Sequence, residues 1–309
     1  MNTLMRAAAI DAFGPPEALR IRQLPRPRVS ADGVLIRVIY AGVQLTDAAV
    51  RSGWSPPGAT IRFPQVLGNE ISGIVEEVGP AVRGFVPGEA VLGFNLLGCY
   101  AEYVAVPHTQ IVRKPDEVPW AAAGALSASG QTAHTAMDDL SVTADDVVVV
   151  HGAAGGVGTM FTQLAVQAGA TVIGTASDVN HDYLRSLGAI PVAYGPGQDE
   201  RIRAAAARVD VAFDAAGHEN LRTSIKSVAD RNRVATIVDM QLADDLGCRV
   251  IRSRRSAGRL NDLVGWVADG RLRVHIRNVY TLDDVAEAHR DVESGHGRGK
   301  VVLAIGQEP

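Results

Sequence analysis

Residues Val147 to Gly158 read Val-Val-Val-Val-His-Gly-Ala-Ala-Gly-Gly-Val-Gly. Their chemistry is phosphate binding. Four consecutive β-branched residues suit a strand buried on both faces of a parallel sheet, and the glycines let the backbone turn tightly and approach a pyrophosphate closely. A helical pattern follows directly, over residues 159–170, so a helix would aim its free N–H groups and positive dipole end at that phosphate. Counted as Ala153-x-Gly155-x-x-Gly158, the turn is a dinucleotide fingerprint with alanine at the first glycine, and it has the required strand before and helix after. Ala153, Ala154, Gly155, Gly156, Val157 and Gly158 are the expected contacts. A tight helix–strand turn uses the same residue types.

The elements that must position this turn alternate. Strands are expected at 147–150, 171–174, 190–193, 210–214 and 233–238, with helices at 120–137, 156–167, 178–187, 199–208, 219–228 and 256–268. This rhythm predicts a doubly wound parallel sheet with helices on both faces. Ahead of Pro119 the pattern differs. Short β-branched or alternating runs at 6–10, 18–21, 34–41, 71–78 and 100–106 are punctuated by Gly and Pro, as expected of a compact antiparallel β domain. A helix at 282–294 and a strand at 300–305 close the chain; pattern alone does not say which domain they join.

The chain has 309 residues, long enough for two domains each with its own core. A hydrophobic share of 47% and a charged share of 21% are ordinary for a globular protein, and a net charge of −4 offers no footprint for nucleic acid. Arg252, Arg254, Arg255 and Arg259 are read as a solvated surface cluster. No signal peptide is expected, and no run approaches the roughly 20 apolar residues of a membrane span, so a cytoplasmic location is expected. Cys99 and Cys248 stand alone, far apart and without a His set, which disfavours thiolate zinc sites and disulfides.

Several further motifs resemble one family. They are Ala41-Gly-Val-Gln-Leu-Thr-Asp47 with Arg51-Ser-Gly53, Leu67-Gly-Asn-Glu-Ile-Ser-Gly-Ile-Val-Glu-Glu-Val-Gly79, Pro87-Gly-Glu-Ala-Val91, Tyr100-Ala-Glu-Tyr-Val-Ala-Val-Pro107 and Glu293-Ser-Gly-His-Gly-Arg-Gly-Lys-Val-Val-Leu303. In this order, with the glycine turn, they resemble the medium-chain dehydrogenase/reductases, in the zinc-independent quinone oxidoreductase branch. The resemblance implies an α/β protein with a discontinuous GroES-like β domain at 1–119 and 277–309 and a central Rossmann domain at 120–276. It also implies an active site between the domains and a homodimer.

In the zinc enzymes of that family a Cys stands in the place of Gln44 and a His in the place of Asn69, so no metal is expected here. Losing the metal removes the Lewis acid that stabilises an alkoxide. What remains is hydride addition to a quinone or conjugated enone, whose charge spreads onto an enolate or phenolate oxygen. Gln44 is the candidate hydrogen-bond donor to that oxygen, or else a loop amide satisfying backbone groups. Asp47 orients a donor or relays a proton, or simply caps the helix starting near Thr46. Asn69 bonds substrate or Glu70, or is a plain polar loop residue, and Glu70 is read as organising the site. Ala49 occupies the place of a family Tyr, which removes a phenol from that position. Tyr40 and Trp54 offer aromatic walls but equally suit a core. His151 is read as a surface or cleft-lining residue.

An NAD site usually carries an acid about 20 residues past the glycine turn. Ala176 stands there instead. Ser177 and Asn180 can bond a 2′-phosphate, and Tyr194 matches a family tyrosine, so NADPH is the expected cofactor, with Asp178 counting against it. Val238 is expected beside the nicotinamide, and Lys300, with Arg298, is expected to help bind the cofactor from the other domain, or else to be a solvated, exposed cation. The resulting expectation is an NADPH-dependent reductase of quinones or enones acting on a small molecule. The rivals are a redox-neutral tailoring enzyme for a polycyclic or polyketide substrate, and an NADPH-binding structural or sensor protein.

Overall fold

The computed structural model describes residues 3–309. The chain opens with strands β1 Leu4–Ile10, β2 Leu19–Pro25 and β3 Gly33–Val43, helix α1 Leu45–Arg51, and strands β4 Gln65–Val66, β5 Glu70–Val78, β6 Ala90–Phe94, β7 Tyr103–Pro107 and β8 Ile111–Arg113. Helices α2 Trp120–Gly124 and α3 Ser127–Leu140 lead into an alternation: β9 Val147–His151, α4 Gly156–Gln167, β10 Thr171–Ala176, α5 His181–Ser186, β11 Ile190–Ala193, α6 Gln198–Ala205, β12 Val211–Asp214, α7 Asn220–Ser227, β13 Val234–Thr236, α8 Met240–Leu246 and β14 Arg249–Val250. The chain closes with α9 Ala257–Ala268, β15 Ile276–Thr281, α10 Val285–Glu293 and β16 Lys300–Ala304. Among the described residues no helix is long and apolar enough to cross a membrane.

Two compact units result. The first holds the chain up to Ala128 with Arg255–Gly270 and Val274–Pro309; the second holds Ser129–Arg254 and Arg271–Arg273. In the first, β15-β16-β3-β5-β6-β8 form one sheet, with β7 also on β3, and β2-β1-β4 form another. Every pair is antiparallel except β15 with β16. The tail therefore joins this unit, because β16 pairs with β3 in the register Val301 to Val43. Inward-facing Ile36, Val38, Leu67, Ile71 and Leu303 share its core. The unit also takes in α2 and α9, which sequence pattern had grouped with the alternating segment. Gly124 of α2 has no side chain where Tyr40 Cβ would be met at 2.8 Å, Ser72 Oγ donates to Trp120 O at 2.8 Å, and α9 packs on β8.

The second unit is a parallel sheet in the order β11-β10-β9-β12-β13-β14, the doubly wound arrangement. Phe161 and Phe213 stack inside it with ring centroids 4.3 Å apart. The strand expected at 233–238 is short and is followed by α8, capped by Asp239 Oδ1 accepting from Leu242 N at 3.0 Å, and edge strand β14. The helix expected at 120–137 breaks before Ser127. The break lets the first turn of α3 offer Ala128 N–H to the carboxylate of Glu70 at 2.7 Å.

Within the second unit Arg233 grips Asp146 with two bonds of 2.8 Å and also donates to Leu140 O at 3.2 Å and Ser141 O at 3.1 Å. The guanidinium holds the Asp146 carboxyl below its ordinary value. Arg233→Met leaves a buried carboxylate without its cation and is expected to cost about 2 kcal/mol in urea unfolding at neutral pH. Because the native pKa is depressed, the pair's contribution fades as the pH falls below about 4, so the gap to wild type narrows there. A pH-independent gap contradicts this.

Candidate active site

A polar cluster is built wholly within the first unit. Gln44 follows β3 as the N-cap of α1, and Asp47, at the third helical position, accepts Gln44 N–H on Oδ2 at 3.1 Å. Asp47 is buried, and it also accepts Tyr100 OH at 2.7 Å and Asn69 Nδ2 at 3.0 Å. Asn69 precedes β5. Its Oδ1 accepts Gln44 Nε2 at 3.1 Å and Arg255 Nη1 at 3.3 Å, and its main-chain O accepts Arg255 Nη1 at 3.1 Å.

Glu70, the first residue of β5, has 0% exposure. Its Oε1 accepts Lys300 Nζ at 2.8 Å and Gln44 Nε2 at 3.2 Å, and its Oε2 accepts the Ala128 amide. The carboxylate lies so close to β3 that a Cβ at Gly42 would overlap it, which explains the glycine.

Burial pushes the Asp47 carboxyl up to about 6 against the opposing pull of the Tyr100 hydroxyl; the Glu70 charge adds to the rise, and Lys300 and Asn69 act against it. Burial and the Asp47 charge also raise the Tyr100 phenol and the Cys99 thiol. Neither is an anion near neutral pH. The cluster thus contains two carboxyl groups, Asp47 and Glu70, and two cations, Lys300 and Arg255.

Gln44, Asp47 and Asn69 therefore do meet, with Asp47 both capping α1 and holding Asn69. Several expectations need correction. Gln44 has both Nε2 protons committed, to Asn69 and Glu70, so it has no N–H left for a substrate oxygen. Lys300 is not an exposed cation but is 4% exposed and ion-paired with Glu70. Arg255 is not a solvated surface residue; it is half-buried, over the Phe94 ring at 5.1 Å, and bonded to Asn69. Sequence pattern missed Arg255 and Tyr100 in this cluster. The only available hint was a charged residue opening each of two apolar strands, Glu70 before Ile71 and Lys300 before Val301. Trp54 is exposed and Tyr40 half-buried.

In the second unit the glycine turn closes as its residue types demand. Gly152 has φ +72°, Gly155 caps α4, and a Cβ on Gly158 would overlap Gly152 O. Ala153 and Ala154 are buried, leaving the backbone between β9 and α4 as the presented surface, with the first N–H groups of α4 lacking helical acceptors. This arrangement fits a pyrophosphate.

Ala176 ends β10, buried and without a carboxylate. Ser177 is half-buried, and its Oγ accepts Asn180 Nδ2 at 3.2 Å. Asp178 is exposed with its carboxylate 3.5 Å from His181 Nε2, while Tyr194 and Val238 are exposed. His151 is fully buried rather than at a surface. Its ring lies 3.0 Å from Ser224 Oγ and 3.4 Å from Gln198 Nε2, and burial lowers its pKa to about 4, so it is a neutral interior residue.

Two family models match the chain: an alcohol dehydrogenase GroES-like domain over residues 30–116 and a zinc-binding dehydrogenase domain over 187–303. The solved quinone oxidoreductase of Coxiella burnetii is 30% identical, with a TM-score of 0.88 over 98% of this chain and 100% of that one. An NAD-dependent alcohol dehydrogenase of Sulfolobus acidocaldarius is 29% identical over 97% of this chain and 100% of that protein. The chloroplastic NADPH-dependent alkenal/one oxidoreductase of Arabidopsis thaliana is 27% identical over 97% of this chain and 79% of that protein. The chain belongs to the medium-chain dehydrogenase/reductase superfamily, in its quinone oxidoreductase-like branch. It is accordingly an oxidoreductase of a pyridine-nucleotide-dependent family.

The Asp47 carboxyl holds its proton more tightly in the fold than in the unfolded chain, so its contribution to stability falls as the pH rises from about 4 to about 6. Tyr100→Phe removes a donor that favours the carboxylate. The Asp47 midpoint, followed by carboxyl-labelled NMR, is expected to move above the wild-type value; a fall or no change would show that the phenol does not stabilise the anion.

Proposed function

We propose that the chain is a zinc-independent, NADPH-dependent reductase that transfers hydride to a quinone or an α,β-unsaturated carbonyl compound. The observation that carries this reading is the pair of carboxamides, Gln44 and Asn69, where the family's zinc enzymes have ligands. Both are tied into a network whose neighbouring carboxylate, Glu70, already has the Lys300 ammonium 2.8 Å away. Zinc favours thiolate, imidazole and free carboxylate donors, and a buried ammonium beside it adds repulsion. Among the described residues no group of three or more His, Cys, Asp or Glu is arranged to hold a metal. The donor set does not fit zinc, and no step is routed through one.

When bound, NADPH supplies the hydride. The backbone N–H groups of the 153–158 turn would hold its pyrophosphate. At the end of β10, Ala176 presents a methyl group where an acid would repel a 2′-phosphate; the Ser177 hydroxyl follows it, and the exposed Tyr194 follows Ala193, its partner on β11. Asn180 already spends an N–H on Ser177, so its support is indirect.

Conjugated acceptors suit a site without a Lewis acid because their negative charge is delocalised. Ala49 carries no acid, so the proton for the reduced product is not delivered from that position. That same absence favours, as a second reading, a redox-neutral reaction on a bulky polycyclic or polyketide substrate.

The test is oxidation of NADPH and NADH in the presence of quinones and enones, with and without a zinc chelator. Substrate-dependent NADPH oxidation at least about tenfold more efficient than with NADH, and unchanged by the chelator, is expected from one or two charge-assisted phosphate contacts. Tight NADPH binding without substrate-dependent oxidation contradicts the reductase reading, and loss of activity with the chelator contradicts zinc independence.

A further inference from the structure

Arg201 lies in the first turn of α6, and its guanidinium closes back on the segment that leads into that helix. Nε and Nη2 donate to Ala193 O at 3.0 and 2.8 Å, Nη2 also donates to Tyr194 O and Gly195 O at 3.3 Å each, and Nη1 donates to Pro196 O at 2.8 Å. Four consecutive carbonyls thus point at one cation. Gly195 and Gly197, with φ of +93° and +76°, give the chain the curvature this requires. The segment is held by these bonds and not by burial, since residues 194–197 are exposed and Tyr194 shows 55% of its surface.

This clasp sits at the carboxyl end of the sheet, where open α/β folds bind their ligands. Ala193 ends β11 and is the parallel partner of Ala176, which ends β10, so the two backbones stand about 4.8 Å apart. A 2′-phosphate at the end of β10 needs positive charge close by. The segment that follows β10 brings none, because no Lys or Arg occurs from Ala176 to Leu184 and Asp178 adds a negative charge. Arg185, the next cation, is matched by Asp182. Arg201 differs: every bond that holds it goes to a neutral carbonyl, which fixes the cation without cancelling its charge.

We propose that Arg201 is a specificity-determining residue for the 2′-phosphate of NADPH: anchored on the 193–196 carbonyls, it sets an uncancelled positive charge at the ends of β10 and β11 and holds Tyr194 at the same edge. This rests on the NADPH reading above. A phosphate dianion gains from a cation nearby, whereas the ribose hydroxyl that stands there in NADH is neutral and gains little. The Tyr194 hydroxyl is a further donor, and a loop already fixed loses less freedom on binding. Arg201 thus acts as a positioning residue and as a fixed charge, and none of its bonds to the loop has to break.

The experiment measures binding of NADPH and NADH to the full chain, without substrate, by the fluorescence of the reduced nicotinamide in wild type, Arg201→Lys, Arg201→Gln and Arg201→Met. Wild type is expected to bind NADPH at least about tenfold more tightly than NADH. Arg201→Gln, which keeps a donor for the carbonyls but no charge, and Arg201→Met are expected to lower that ratio about tenfold, with NADH binding within about twofold of wild type. Arg201→Lys, which keeps the charge, is expected to retain most of the ratio, and raising the salt is expected to narrow the preference in wild type but not in Arg201→Gln. A role confined to holding the loop weakens both cofactors alike and leaves the ratio unchanged. That result overturns the proposal, as does a lysine variant no more selective than the glutamine one or a wild-type preference indifferent to salt. A wild type that binds the two cofactors equally sinks the NADPH reading and this proposal together, while an NADPH preference that survives Arg201→Gln sinks the proposal alone.

Discussion

A carboxylate with no exposure must be neutralised and hydrogen-bonded, or it costs several kcal/mol. Glu70 meets that demand through residues from distant parts of the chain. Lys300, 230 positions away, supplies the charge at 2.8 Å; the first turn of α3 supplies the Ala128 amide; Gln44 supplies a carboxamide proton; and Gly42 leaves the room. Lys300 can reach Glu70 because β16 lies beside β3, so the tail strand is part of the same sheet as the first strands. The tail strand, the start of α3 and the glycine in β3 all meet at this one buried charge.

The same ion pair limits the chemistry. With an ammonium on one oxygen of Glu70 and a backbone amide on the other, the carboxylate is committed to holding the fold and orienting Gln44. Both of its oxygens accept donors of the fold. Asp47 is similarly committed, with three donors directed at it. What the cluster offers is a rigid set of dipoles of defined direction, and rigid dipoles suit a reaction in which charge appears on an oxygen only briefly. The second unit supplies a backbone-lined turn suited to a pyrophosphate.

The parts of this arrangement legible in the sequence were those with a local physical signature. The apolar run into glycines at 147–158 specified strand, turn and helix together, and α4 at Gly156–Gln167 and β11 at Ile190–Ala193 have the bounds that hydrophobic periodicity predicts. Helix α8 carries no clear hydrophobic period because it buries little beyond Leu242 and Ala243 and depends on its Asp239 cap. The types at Gln44, Asp47 and Asn69 were readable as a site, but their directions were not. Direction depends on Arg255 and Lys300, whose proximity is a property of the folded sheet and not of any short window. A cation next to three other arginines reads as surface; only its placement beside Asn69 shows otherwise.

Isotope transfer tests most directly whether this chain moves hydride from a nicotinamide onto a conjugated acceptor, as proposed. The protein would be incubated with an enone and NADPH carrying deuterium at the nicotinamide carbon that gives up hydride, and the product examined by mass spectrometry and NMR. One deuterium on the β-carbon of the saturated product is the predicted result, since conjugate addition places hydride there and the negative charge on oxygen. Deuterium on the carbonyl carbon would make the chain an alcohol-forming enzyme instead, and an unreduced enone with the label still on the cofactor would contradict hydride transfer to this class of substrate.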